Sequence, residues 1–229
     1  MNGFKEVSLA LATAGVLASS MAQAALEDRG GGLIYDNVLD ITWLKDANYA
    51  ATQFVATVGA QGYADGLMNW TAANDWAANL TFHDSERKVD LTGWRLPTAL
   101  NQDGSGPCAG YNCTNSEMGH LFYTDGGLSP DQSITTSATL NSYFTNMQSY
   151  VYWSGTAYAP NPANLAWNFG TGVGYQNGGG QLNEFYAWAV RPGDVAAPIP
   201  EPETYAMLLA GLGLLGVVAK RRRRSFGAS

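Results

Sequence analysis

The chain has 229 residues, nearly half of them apolar, and a formal net charge of -7. Within residues 25–199 the imbalance sharpens to six basic against sixteen acidic side chains, a net charge of -10. That surface argues against nucleic acid and other polyanions as partners, because their binding rests on neutralising phosphate or sulfate with Lys and Arg.

The amino end carries Lys5, an apolar stretch from Val7 to Leu17 and the small-residue triplet Ala22-Gln23-Ala24. This fits a secretory signal peptide over residues 1–24, cut by signal peptidase between Ala24 and Ala25; a retained signal anchor is the alternative. Residues 25–197 then form one surface domain. "GLIYDNVLDITWL", from Gly32 to Leu44, gives two apolar segments around an Asp-Asn turn and predicts a hairpin. "NWTAANDWAANL" places Trp70, Ala73, Ala77 and Leu80 on one helical stripe, with Asn69 as its N-cap. After "GWRLPT", residues 93–98, and the loop "CAGYNC", a second helix is expected from Thr114, with Thr114 and Glu117 as a capping box. From Tyr150 onward the segments "YVYWSGT", "LAWNFG" and "FYAWAVRPG" read as strands, and "GTGVGYQNGGGQLN", residues 170–183, as a long hairpin loop. The order hairpin, helix, helix, strands predicts an α+β domain with early helices beside an antiparallel sheet and long loops.

The carboxyl end closes with Pro200-Glu201-Pro202, an uncharged run over 204–219, and Lys220 followed by Arg221, Arg222, Arg223 and Arg224. As a helix the run spans about 24 Å, short of a hydrocarbon core of about 30 Å, and the basic side chains reach the interface by snorkelling. The basic cluster stays in the cytoplasm and the domain lies outside. Together with the signal peptide, these three parts in order resemble the PEP-CTERM sorting signal of Gram-negative bacteria, placed here at residues 198–224. The resemblance implies that an exosortase in the inner membrane recognises the Pro-Glu-Pro region. It then removes the helix and tail and passes the protein to the cell surface or extracellular matrix.

A second resemblance rests on Trp43 after the hairpin, "WRLPT" (Trp94, Arg95, Pro97), the "SEMGHLFY" helix with Glu117, "YWS" with Trp153, and "AWAVRPG". These words are similar to the DUF1566 family, which includes the C-terminal domain of a Legionella collagen-like adhesin. The family implies a C-type-lectin-like or formylglycine-enzyme-like fold, and some members are implicated in binding polysaccharide. The adhesin's preference for sulfated glycans does not transfer to so acidic a domain, and formylglycine chemistry needs cysteines late in the domain that are absent here.

The remaining residues set further expectations. Cys108 and Cys113 are the only cysteines, and in an oxidising compartment they are expected to pair; a redox or metal role is the alternative. Two thiols do not make a structural zinc site. No metal ligand set is assigned, calcium being weighed only at "NQDGSG", Asn101 to Gly106. His83 and His120 are the only histidines. His120 is read as a capping or packing group, since no nucleophile context accompanies it, so no catalytic residue is named. Asp103, Asp125, Asp131 and Glu184 are the loop acids for a glycosidase pair, which meets only in space.

Trp43, Trp94 and Trp153 are expected in the core, with Arg95 in an ion pair. Trp167 and Trp188 are expected on late strands with a face open for stacking on sugar. Asn164, Tyr175, Asn177, Gln181, Asn183 and Glu184 are expected beside Trp167 as directional hydrogen-bonding groups for polysaccharide. The alternatives are a structural or protein-interaction role in the matrix and, third, a glycoside hydrolase.

Overall fold

The computed structural model describes residues 26–56 and 63–195. The signal-cleavage residues Ala22, Ala24 and Ala25, and the sorting residues Pro200, Glu201, Pro202 and Arg221 to Arg224, lie outside them. Among the described residues no helix is long and apolar enough to cross a membrane, and the 204–219 run is not among them.

The first sheet grows from the expected hairpin. Strands β2 (Leu33–Asp36) and β3 (Ile41–Leu44) pair antiparallel, with β1 (Leu26–Asp28) on the outer side of β2. The Asp36 carboxylate closes the turn by accepting from the Val38 and Leu39 N–H groups, both at 3.0 Å. Such a side-chain turn is why Asp and Asn punctuate hairpins. Helix α1 (Tyr49–Ala56), which the sequence reading did not foresee, follows at once.

Strand β4 (Leu67–Met68) leads into helix α2 (Trp70–Asn79), whose start is the expected one: the Asn69 side chain accepts from the Ala72 N–H at 3.0 Å. Ala73, Ala77 and Leu80 face inward and are buried, so the helical stripe is used as its spacing requires. A separate hairpin, β5 (Phe82–Asp84) and β6 (Val89–Leu91), stands beside the first sheet.

The second helix departs from expectation. Helix α3 (Glu117–Gly119) is capped by Ser116, whose hydroxyl accepts from the Gly119 N–H, and not by Thr114. The Glu117 carboxylate does not turn back to a cap; it is engaged by Arg95 and Thr98. Position 119 must be glycine because the Cys113 carbonyl occupies the space a side chain would need. Winding then loosens into a π-helix over His120–Asp125, with the Gly126 N–H reaching the Leu121 carbonyl at 2.9 Å. A 3-10 turn (Ile134–Thr136) and helix α4 (Ala138–Tyr143) complete this layer.

The larger sheet has five strands in the order β4, β10 (Phe185–Tyr186), β7 (Val151–Ala157), β8 (Leu165–Gly170), β9 (Tyr175–Gly180), antiparallel except for β10 against β7. Two expectations are corrected here. The glycine-rich segment read as a loop contains a strand: all six residues of β9 pair with β8. "FYAWAVRPG" is not one strand but two. β10 belongs to the larger sheet and β11 (Val190–Pro192) to the first, which runs β1-β2-β3-β11.

Between them Trp188 is wholly buried, with its indole N–H on the Leu44 carbonyl at 2.7 Å and its ring edge-on to Trp43 at 5.1 Å. Its expected open face does not exist, because the crossing between sheets is the centre of the core. Trp43, Trp94 and Trp153 are buried as expected. The architecture is mixed α+β, mainly sheet with short helices.

Candidate functional site

The residues of "WRLPT" tie three elements together. Arg95 exchanges backbone hydrogen bonds with Val190 of β11 at 2.8 and 2.9 Å. Its guanidinium donates to both Glu117 carboxylate oxygens, at 2.8 and 2.6 Å, in the ion-pair role expected of it. The Pro97 carbonyl accepts from Gly155, and the Thr98 N–H donates to Glu117 at 2.8 Å. The Trp94 indole donates to the Leu91 carbonyl and that of Trp153 to the Met68 carbonyl. Beside this clamp opens a cavity of about 430 Å³, walled by Val38, Leu39, Thr98, Leu100, Asn101 and Glu117 among others.

The late-strand ligand residues are divided by the fold. Trp167 is only 6% exposed, and the Tyr158 ring lies over it at 5.1 Å. A side chain at Gly178, opposite Trp167 in the ladder, would come within 3.0 Å of that same tyrosine ring. The glycine strand therefore admits Tyr158 onto Trp167 and removes the stacking face expected of the indole. At the far end of β9, Gln181 is consumed locally: its backbone N–H reaches the Asn164 carbonyl at 2.8 Å and its side chain the Pro162 carbonyl at 2.9 Å. The Asn164 amide donates to the Asn161 side chain at 3.0 Å. Asn183 and Glu184 are exposed at the turn into β10.

At the near end, Tyr175 and Asn177 stand exposed on one face of β9, as their spacing of two dictates. The disulfide between Cys108 and Cys113 is formed, and its loop docks on this strand through paired Gly110 and Gln176 backbone hydrogen bonds at 2.8 and 2.9 Å. Docking brings Tyr111 edge-on to Tyr175, ring centres 4.8 Å apart, and the Tyr111 hydroxyl donates to Asp131 at 2.8 Å. Tyr111 and Tyr175 remain 41% and 38% exposed. Sequence reading had Tyr175 and Asn177 but missed Tyr111, which only the cysteine-loop docking delivers.

A second constellation went unread. Asp36, His120 and Asp125 converge in the interior, with one ligand-capable atom from each lying within 4.8 Å of the others. His120 Nε2 stands 3.6 Å from Asp125 Oδ1. Asp36 Oδ2, His120 Nε2 and both Asp125 oxygens are buried without hydrogen-bond partners. Burial pushes the Asp125 carboxyl up to about 8, with the charge of Asp36 adding to it. Burial also raises the Asp36 carboxyl and lowers the His120 imidazole, against the pull of Asp36.

His120 is thus the C-cap residue of α3, its backbone N–H on the Glu117 carbonyl, and its ring packs in the interior with Nε2 left unpartnered. By contrast, the loop weighed for calcium spends its acid on itself, since Asp103 accepts from both the N–H and the hydroxyl of Ser105.

Comparison with known families matches residues 198–224 to the PEP-CTERM protein-sorting motif. That match supports an exported protein processed by exosortase at the membrane and then placed at the cell surface. No curated protein and no solved structure matches the chain.

Proposed function

We propose that the mature domain is a DUF1566-type module of the cell surface or biofilm matrix. It binds a neutral or amino polysaccharide along the face where the disulfide loop meets β9. The observation that carries this reading is the exposed Tyr111–Tyr175 pair, with Asn177 on the same strand face and Asp131 on the Tyr111 hydroxyl. Aromatic surface flanked by an amide and a carboxylate suits a sugar ring, which offers an apolar C–H face and a rim of hydroxyls. Such recognition needs no positive charge, in keeping with the acidic domain.

A hydrolase reading has less support. Of the two carboxyls such chemistry needs, Glu117 lines the cavity beside the clamp but is already bound by Arg95 and the Thr98 N–H.

Glycan-array binding of the exported protein, wild type against Tyr175→Ala, tests the proposal. Loss of signal in the folded variant supports the site. Absence of any glycan signal from wild type favours a structural or protein-interaction role in the matrix.

A further inference from the structure

Three polar side chains meet in the interior, and Asp36 Oδ2, His120 Nε2 and both Asp125 oxygens lack hydrogen-bond partners there, which calls for a compensating group. A buried polar atom without a hydrogen-bond partner is costly, and native interiors leave few such atoms unsatisfied. Here four orphaned atoms belong to three residues that each place one ligand-capable atom within 4.8 Å of the others, and the residues come from two distant parts of the chain. Asp36 ends β2, while His120 and Asp125 bound the π-helix. We propose that Asp36, His120 and Asp125 are the protein ligands of a buried structural site for a divalent cation of the zinc class.

The ligand chemistry selects the class. Two carboxylates and a neutral imidazole bring two negative charges, so a divalent ion leaves the interior neutral. An imidazole nitrogen suits zinc and its neighbours, whereas calcium takes six to eight oxygens and has no use for a nitrogen donor. A tetrahedral ion with bonds of about 2.1 Å holds its ligand atoms roughly 3.4 Å apart. The 3.6 Å between His120 and Asp125 already matches, and the 4.8 Å limit for the set leaves a gap that small side-chain rotations close.

The helix geometry serves the same end. Residues five apart diverge on an α-helix but share a face on the wider π-helix, whose bonds join residues i and i+5, and π turns recur at functional sites. Asp36 is wholly buried and His120 only 6% exposed, which leaves no room for a polymeric substrate and makes the role structural. The ion joins the first hairpin to the helical layer.

The test uses the full chain, purified in detergent without a polyhistidine tag, stripped with a chelator and titrated with Zn²⁺ alone. Wild type is expected to take up one equivalent and to gain several degrees in melting temperature, while the same concentration of Ca²⁺ gives no shift. X-ray absorption should report a nitrogen and oxygen shell with one imidazole. The near-isosteric His120→Gln and Asp125→Asn, each checked for folding by circular dichroism, should weaken zinc binding at least tenfold. Stoichiometric uptake by both folded variants, or wild type that takes up no zinc and gains no stability, overturns the site. A metal-free Asp125→Asn more stable than a wild type blind to zinc would identify Asp125 as a buried neutral acid and overturn it equally.

Discussion

Arg95 and Glu117, 22 positions apart, meet as a two-pronged ion pair at 2.8 and 2.6 Å, and the same carboxylate holds the Thr98 N–H. Glu117→Ala leaves the Thr98 N–H and the Arg95 guanidinium without their acceptor, but the Arg95 side chain is 37% exposed and water screens it, so the expected cost is about 1–2 kcal/mol. Arg95→Ala should cost more, about 3 kcal/mol, because it leaves the Glu117 carboxylate, only 10% exposed, without its guanidinium partner. Urea denaturation of the two variants, compared through their midpoints, checks the order.

Asp84 holds the Arg87 guanidinium, which also donates to the Arg29 carbonyl and so ties the β5–β6 hairpin to the turn before β2. Its burial resists ionisation, but the Arg87 guanidinium at 2.6 Å and the backbone N–H groups of Arg87 and Glu86 hold its carboxyl below the usual range. A depressed folded pKa gives stability that is present above the unfolded value, about 3.9, and lost as pH falls through the folded one. Asp84→Asn should therefore destabilise the protein at neutral pH and flatten its acid unfolding below about pH 4. Thermal melts across that range would read both effects.

The bond between Cys108 and Cys113 closes a short loop and is expected to contribute about 2 kcal/mol through the unfolded chain. The Cys108→Ser, Cys113→Ser double variant should melt several degrees lower yet keep its fold. Thiol labelling of exported wild-type protein should find neither cysteine free.

On the surface face, Tyr175→Ala or Tyr111→Ala should weaken polysaccharide binding about tenfold, in line with the loss of one aromatic contact. Raising salt should leave affinity almost unchanged, since few counterions are released. Trp167→Ala acts elsewhere: the ring is buried under Tyr158, so it should cost about 3–5 kcal/mol in stability. Affinity electrophoresis beside denaturation curves separates the two kinds of loss.

Replacing Pro200-Glu201-Pro202 with alanines should leave the precursor in the inner membrane with Arg221 to Arg224 attached. Mass spectrometry of membrane and surface fractions reads this directly. Normal surface product from that variant would mean the match at residues 198–224 does not govern sorting.

What was legible in the sequence was local. Asn69 announces its cap, the Asp-Asn turn its hairpin, and the tryptophans set in apolar words their burial. What was hidden required distance or unusual winding. β9 is half glycine, which argues against a strand by propensity, yet its six pairings to β8 impose one. Trp188 looked peripheral because a continuous apolar word conceals a crossing between two sheets. His120 and Asp125 sit five apart, a spacing that joins no face of an α-helix, so only the π turn makes them neighbours. Asp36 lies further off, beyond any local pattern.

The placement of β11 also bears on the order of events during secretion. Val190 lies opposite Trp43, and the Asp194 carboxylate grips Arg29 across 165 positions. A chain threaded outward from its amino end delivers β1, β2 and β3 first, and they must wait with an open edge on β3 until almost the whole domain has crossed. Only nine residues separate Asp194 from the start of the apolar run at 204. The domain thus acquires its last contacts nearly at the moment the sorting motif at residues 198–224 arrives. Any premature halt upstream would leave the first sheet without its final strand and the edge of β3 unpaired.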